Sequence, residues 1–229
     1  MKQLCNNAIL CNGKYRIEKV LGQGGFGITY KAIMKETVSG SLGNMEVDVP
    51  VAIKEFFVKG VCQRDGDSTT ISVSNTENTN SFEQQREKFK KEARRLRSLS
   101  NPHIVKVYDL FEENGTAYYV MDYVDGENLS ARLKRTNAPL AESEVRNYLN
   151  QILDGLEAIH NEGMFHLDIK PGNIMVDSHN VVKLIDFGAS KQQSTVGGAT
   201  MSTGISYTNG YAPSEQMAQS YDKFGPWTD

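Results

Sequence analysis

The dominant hydrophobic period of this chain shifts near residue 124, and that shift limits the folds open to it. Before it, apolar residues mostly alternate, as along half-buried strands; after it they mostly recur every three to four residues, as along one helix face. Tyr15, Ile17, Lys19 and Leu21 mark alternate positions before a glycine cluster, and Ile28, Tyr30 and Ala32 continue after it. That predicts strand, glycine-rich turn, strand. Residues 35–48 are polar and carry Gly40 and Gly43, so they read as a loop or a protruding hairpin. Residues 49–58 are β-rich, interrupted early by Pro50, and residues 59–81 form a long polar stretch with a short β-like piece at 70–73. Phe82, Phe89, Ala93 and Leu96 then recur at helical spacing, predicting a helix over 82–99 that Pro102 ends. Two strands, 104–111 and 116–124, flank a Glu-Glu-Asn-Gly turn. Helices are predicted at 129–135 and 141–161, with a break at Gly163, and short strands at 174–176 and 181–184. The expected class is α+β in two lobes: residues 1–123 β-rich with one helix, residues 124–229 mainly helical.

Charge excludes one class of partner. Lys plus Arg number 25 and Asp plus Glu 28, a net charge of −3, so no polyanion-binding surface dominates and nucleic acid is not an expected partner. No apolar run approaches membrane-spanning length, and Lys2 is not followed by the apolar stretch of a secretory signal, so a cytoplasmic location is expected. Cys5, Cys11 and Cys62 have no metal-ligand spacing and read as free thiols. His103, His160 and His179 belong to no Cys/His cluster and read as structural or exposed.

The chemistry-bearing residues are ordered along the chain. Gly22-Gln23-Gly24-Gly25-Phe26-Gly27 fits a G-x-G-x-x-G pattern, which on its own is weak. A dinucleotide site would open a helix after the last glycine, whereas Ile28-Thr29-Tyr30-Lys31 is strand-like. The pattern therefore suits a hairpin that covers phosphates, since glycines let backbone amides approach phosphate oxygens. Val51-Ala52-Ile53-Lys54 places one ammonium in an apolar strand, where it needs an anion or a carboxylate partner. Glu92 shares a helix face with Phe89 and Leu96, on a helix that also carries Lys90, Lys91, Arg94 and Arg95. Farther on stands His166-Leu167-Asp168-Ile169-Lys170-Pro171-Gly172-Asn173, and Asp186-Phe187-Gly188 begins 13 residues after Asn173. Asp168 can accept a proton from a hydroxyl. Asn173 and Asp186 supply oxygens suited to Mg²⁺, and Lys170 can neutralise charge on a transferring phosphoryl group.

With these residues the sequence resembles the protein kinase family, Ser/Thr class. The glycine-rich loop, V-A-I-K, helix Glu, H-x-D-x-K-x-x-N, D-F-G and Ala212-Pro213-Ser214-Glu215 stand in the family's order over residues 14–229. The stretch Val-Cys-Gln-Arg-Asp-Gly at 61–66 looks like bacterial kinases of the eukaryotic type. The resemblance implies a two-lobed kinase fold using ATP and Mg²⁺ on protein substrates. Gly22, Gly24 and Gly27 would cover the ATP phosphates, and Lys54 would hold them while pairing with Glu92. Met121 would be the gatekeeper, and Asp122, Tyr123 and Val124 the hinge that meets adenine through backbone groups. Ala52 and Met175 would sandwich the adenine. Asn128, with Glu127 beside it, is nearest the ribose position. Asp168 would be the catalytic base, with Asn173 and Asp186 on Mg²⁺. Leu96, Val107, His166 and Phe187 would stack as a spine. Lys170 and Thr208 mark the Ser/Thr class.

Four departures stand out. Thr29 replaces the usual Val above the adenine, and Ser214 changes the A-P-E signature. Leu167 replaces the Arg that commonly precedes the catalytic Asp and receives the phosphate of the activation loop. The sequence ends at Pro226-Trp227-Thr228-Asp229, where the family's central large-lobe helix begins, so an incomplete lobe is expected. Two functional readings follow: an active Ser/Thr kinase, or a kinase-like nucleotide-binding or regulatory module with little phosphotransfer.

Overall fold

The computed structural model describes residues 3–25, 27–41, 43–64, 69–74, 76–187, 191–192 and 207–229. The chain divides into two compact units, one of Met1–Ser98 with Lys106–Tyr123, the other of Leu99–Val105 with Val124–Asp229.

The first unit is built on strands β1 (Ile9–Leu10), β2 (Tyr15–Gln23), β3 (Gly27–Gly40) and β4 (Gly43–Phe56). Short strands β5 (Cys62–Gln63) and β6 (Ser72–Val73) precede helix α1 (Thr76–Ser98), and strands β7 (Val107–Glu113) and β8 (Thr116–Asp122) complete it. Six strands make one antiparallel sheet in the order β1-β2-β3-β4-β8-β7. Strands β3 and β4 stay paired from Gly27 opposite Phe56 to Gly40 opposite Gly43, so residues 35–48 form a protruding hairpin. Pro50 does not interrupt the strand. It lies opposite Ile33, and the pairing of β4 with β8 runs only from Val51 to Glu55, so Pro50 sits where β4 has a single neighbour.

The apolar stripe of α1 docks on this sheet. The Phe56 ring lies 5.2 Å from Phe82 and 5.5 Å from Phe89, and Phe89 lies 4.9 Å from Tyr119. Phe82, Phe89, Ala93 and Leu96 are all buried, as their spacing requires. The helix starts earlier than its apolar stripe, because residues 76–81 include no apolar residue for a period to register. The polar stretch before it is also more ordered than a plain loop, since β5 and β6 pair antiparallel within it. The turn between β7 and β8 places Asn114 at φ 55° and Gly115 at φ 75°, the type I′ hairpin turn that Asn-Gly favours.

The second unit holds β9 (Gly126–Asn128), α2 (Leu129–Thr136), α3 (Glu142–Asn161), β10 (Met164–Phe165), β11 (Ile174–Asp177), β12 (Val182–Leu184), β13 (Lys191–Gln192) and the short helix α4 (Ser214–Met217). Strands β12, β11 and β9 form a small antiparallel sheet, and β10 pairs with β13. Tyr148, Ile152, Leu156 and Ile159 give α3 its buried face. Among the described residues, no helix is long and apolar enough to cross a membrane.

Candidate active site

Between β10 and β11 the chain makes a loop whose backbone is pinned from below by one carboxylate. Asp229, its side chain fully buried, accepts from the backbone N–H of His166 at 2.9 Å and of Leu167 at 2.6 Å, and lies 2.8 Å from His160 Nε2. Leu167 is thereby held at φ 63°, a conformation a branched side chain rarely adopts. Its carbonyl accepts from the buried Gln216 side chain at 2.7 Å. Its side chain packs with Phe165 and Phe224 in a buried apolar cluster. The fully buried His166 accepts the Asp168 N–H on Nδ1 at 3.3 Å, so Nε2 carries the proton and donates to the Ile185 carbonyl at 3.1 Å. Burial keeps its pKa below the ordinary histidine value, against the pull of nearby carboxylates. The His166 ring contacts Phe187 at 4.5 Å.

Asp168 is the hub of this loop. Its carboxylate accepts from Thr208 Oγ1 at 2.7 Å, from Lys170 Nζ at 2.7 Å and from Asn173 Nδ2 at 2.8 Å. Lys170 also donates to Thr208 Oγ1 at 2.8 Å. Asn173 Nδ2 donates a second time to the Asp168 carbonyl at 2.9 Å, so the group it has left for a cation is its amide oxygen. Asp186 stands exposed at φ 62°, next to the buried Phe187. Asn173 and Asp186 are hard oxygen donors. Among the described residues no cluster of three or more His, Cys, Asp or Glu could cage a metal by itself. That donor set fits Mg²⁺, which is commonly held by one or two carboxylates together with substrate phosphates and water.

In the first unit, the glycine-rich segment joins β2 to β3. A Cβ on Gly22 would meet no atom within 4 Å, and one on Gly24 only the Gly27 carbonyl at 3.9 Å. The space over these positions is therefore open, which leaves their backbone amides accessible. Gly27 is needed for a different reason: its Cβ would stand 2.9 Å from the Glu55 carbonyl of β4 and 3.5 Å from the Lys54 side chain. Lys54 lies opposite Thr29 on one side and Tyr119 on the other. Its ammonium is 5.7 Å from the Tyr119 ring, whose hydroxyl is a weak 3.5 Å contact of Glu92. Tyr119 thus touches both members of the expected Lys54–Glu92 pair. Its place in an alternating strand was readable, but nothing in the sequence marked it as their common neighbour.

Ala52 is buried and lies opposite Met121, which is buried as well. Of the residues expected to form the hinge, Asp122 has its N–H bonded to the Lys106 carbonyl at 3.0 Å and its carboxylate bonded to Tyr108 and the Lys106 N–H. Any adenine contact by Asp122 must therefore use its carbonyl. The Tyr123 ring lies 4.9 Å from Lys31 Nζ. Val124 begins the second unit's main stretch. There Met175 lies opposite Asn128. Asn128 is the N-cap of α2, its side-chain oxygen accepting the Ala131 N–H at 2.8 Å. Glu127 pairs with Arg135 at 2.5 Å, and that partner lowers its pKa. Gly188 and the hydroxyl-rich stretch 193–206 lie outside the described residues.

Known proteins resemble this chain along most of its length. A model of the protein kinase domain matches residues 57–229. Serine/threonine-protein kinase B of Synechocystis sp. is 32% identical over 230 residues, covering 94% of this chain and 35% of that protein. Serine/threonine-protein kinase PrkC of Bacillus subtilis is 32% identical over 198 residues, 86% of this chain and 25% of its own length. A solved structure, the apo form of PpkA-294, superposes with a TM-score of 0.79 at 29% identity, over 99% of this chain and 74% of that one. The chain belongs to the protein kinase family and has its fold. Its relatives are serine/threonine kinases, among them bacterial kinases of the eukaryotic type, and it spans roughly a quarter to two-fifths of their length.

Proposed function

We propose that this chain transfers the γ-phosphate of ATP to serine or threonine hydroxyls of proteins. The observation that carries this reading is the Asp168 carboxylate, held in one orientation by Lys170, Thr208 and Asn173. A carboxylate so fixed accepts the proton of an incoming hydroxyl, and Lys170 beside it offsets the charge that builds on the transferring group. Gly22 and Gly24 leave room for backbone amides to line the phosphates, and Lys54 supplies the neighbouring positive charge. In the first unit Ala52 and Met121 are the apolar residues for a base, with Asp122 and Tyr123 offering backbone groups for its edge; in the second unit Met175 and Val124 are the corresponding candidates. The Asn128 side-chain oxygen accepts the Ala131 N–H, so its second lone pair and its amide nitrogen are what it has left to meet a ribose. Asn173 and Asp186 would hold Mg²⁺, which when bound supplies charge neutralisation at the phosphates.

Transfer of labelled γ-phosphate to a generic protein substrate, with Asp168→Asn as control, tests the reading. Incorporation that the control loses supports it. Nucleotide binding without any incorporation would instead make the protein a kinase-like binding module.

A further inference from the structure

The glycine-rich hairpin is held by more than its own two strands. The backbone N–H of Lys59 donates to the Gly25 carbonyl at 3.0 Å, tying the start of the polar stretch after β4 to the bend of the hairpin. Lys59 occupies a turn closed by the Val61 N–H on the Val58 carbonyl at 3.2 Å. Gly60 follows at φ 85° while Lys59 itself keeps a negative φ, the pattern of a type II turn.

This turn has a firm footing in the same unit. Cys62 N–H also bonds the Val58 carbonyl at 2.9 Å, and both the N–H and the hydroxyl of Ser74 bond the Val61 carbonyl, at 2.9 and 2.6 Å. Just beyond β5, the Arg64 guanidinium pairs with the Glu55 carboxylate, the two side chains 2% and 0% exposed. Glu55 accepts in addition from the hydroxyls of Tyr30 at 2.6 Å and Tyr118 at 2.7 Å. Arg64 Nε donates to the Thr69 carbonyl at 2.9 Å, and Ile71 N–H bonds the Asn114 carbonyl at 2.8 Å. A buried ion pair of this kind adds little net stability but fixes one arrangement, because any other leaves a charge unpaired.

We propose that residues 58–64 are a brace that positions the glycine-rich hairpin, with the Lys59 N–H as its contact and the Arg64–Glu55 pair as its footing. The proposal rests on reading that hairpin as the phosphate cover. Lys59 is then a positioning residue, acting on nucleotide only through Gly25. A hairpin ordered before nucleotide arrives loses less freedom when it binds.

The test uses Lys59→Pro and Lys59→Ala in the full-length protein. Proline lacks the N–H yet suits this turn position, so it deletes the bond and keeps the turn. Alanine keeps the N–H and removes only an exposed side chain. Hydrogen exchange without nucleotide should be roughly three- to ten-fold faster over residues 20–29 in Lys59→Pro, the worth of one lost hydrogen bond, and unchanged in Lys59→Ala. Exchange in α1 and β8 and the melting temperature should stay at wild-type values, and the KM for Mg-ATP should rise by a similar factor with kcat retained. Unchanged exchange over 20–29 in Lys59→Pro overturns the brace, whether or not the protein is a kinase. A rise spread equally over α1 and β8 overturns it too. A local rise in a protein that shows no Mg-ATP binding at all supports the brace and removes the phosphate-cover reading instead.

Discussion

The Thr208 hydroxyl lies 2.7 Å from the Asp168 carboxylate, across 40 residues of sequence, while accepting from Lys170 at 2.8 Å. One hydroxyl can do both, because it donates its single proton and still offers lone pairs. Its removal takes one hydrogen bond from each of these charged groups, which then keep only their bond to each other and, for Asp168, that from Asn173. Thr208→Ala should lower kcat by about ten- to a hundred-fold through misplacement, whereas Thr208→Ser should stay near wild type. Asp168→Asn should cost about 10²–10⁴ in kcat, as expected for loss of a general base. Initial rates on an external substrate check both, and a Thr208→Ala rate equal to wild type would contradict the role given to this hydroxyl.

Lys54 is the residue on which productive use of ATP should depend most. Lys54→Met should reduce phosphotransfer by roughly 10²-fold or more while leaving the melting temperature near wild type, since the methionine keeps the apolar stem in the strand. Mg-ATP should raise the melting temperature of the wild-type protein. No shift at millimolar Mg-ATP would count against a formed nucleotide site.

Legibility in the sequence followed how local each signal is. The α1 stripe of Phe82, Phe89, Ala93 and Leu96 was readable because one face of one helix carries it, and these residues are buried. The start of α1 at Thr76 was not, since 76–81 offers no apolar period. Pro50 looked like an interruption because sequence does not show where β4 lacks a second neighbour. Asp168, Lys170 and Asn173 lie within one loop, so their residue types stood together in the sequence and the resemblance to the kinase family gave them joint roles. The Glu55–Arg64–Tyr30–Tyr118 cluster joins four separate segments, and Gln216 reaches Leu167 across 49 residues. No local pattern encodes such contacts. For the same reason the N-cap bond of Asn128 appears only once α2 is seen to begin after it.

His166 sets an acid limit. Its Nδ1 is an acceptor in the folded protein, and burial keeps its pKa below the ordinary value of about 6.5. The unfolded chain therefore binds more protons than the folded one between the two pKa values. The contribution to stability is fully present above about pH 6.5 and is lost as pH falls below it. Urea midpoints at pH 8, 6.5 and 5 should fall in that order at the last step, and His166→Gln should flatten it. A midpoint that does not move between pH 6.5 and 5 would contradict this.

Arg64→Leu strands the buried Glu55 carboxylate and should cost about 3–5 kcal/mol of stability. Arg64→Leu combined with Glu55→Gln removes the orphan charge; the amide oxygen accepts from one of the Tyr30 and Tyr118 hydroxyls and the amide NH2 donates to the other. The double variant should be more stable than the single one in urea unfolding. The reverse order would contradict the view that Arg64 is the partner this buried carboxylate needs.

The last prediction concerns regulation. Any kinase activity of this protein should not require phosphorylation of its activation segment. An Arg before the catalytic Asp can receive a phosphate through paired, charge-assisted hydrogen bonds, and Leu167 cannot. The structure adds a physical reason why this position is not a phosphate receiver: its side chain is packed with Phe165 and Phe224, where an unpaired guanidinium would be costly to bury. The candidate acceptors Ser194, Thr195, Thr200, Ser202, Thr203 and Ser206 lie outside the described residues, so the test is kinetic. Thr208 must be left in place, because it holds Asp168 and Lys170 directly. With the six hydroxyl residues changed to Ala in the full-length protein, the initial rate on an external substrate should stay within a few-fold of wild type. A large loss that Glu at one of these positions restores would show that a phosphate there does activate the enzyme. Its receiver would then have to be a cation other than the one Leu167 replaces, with Arg94 and Arg95 of α1 the first to mutate.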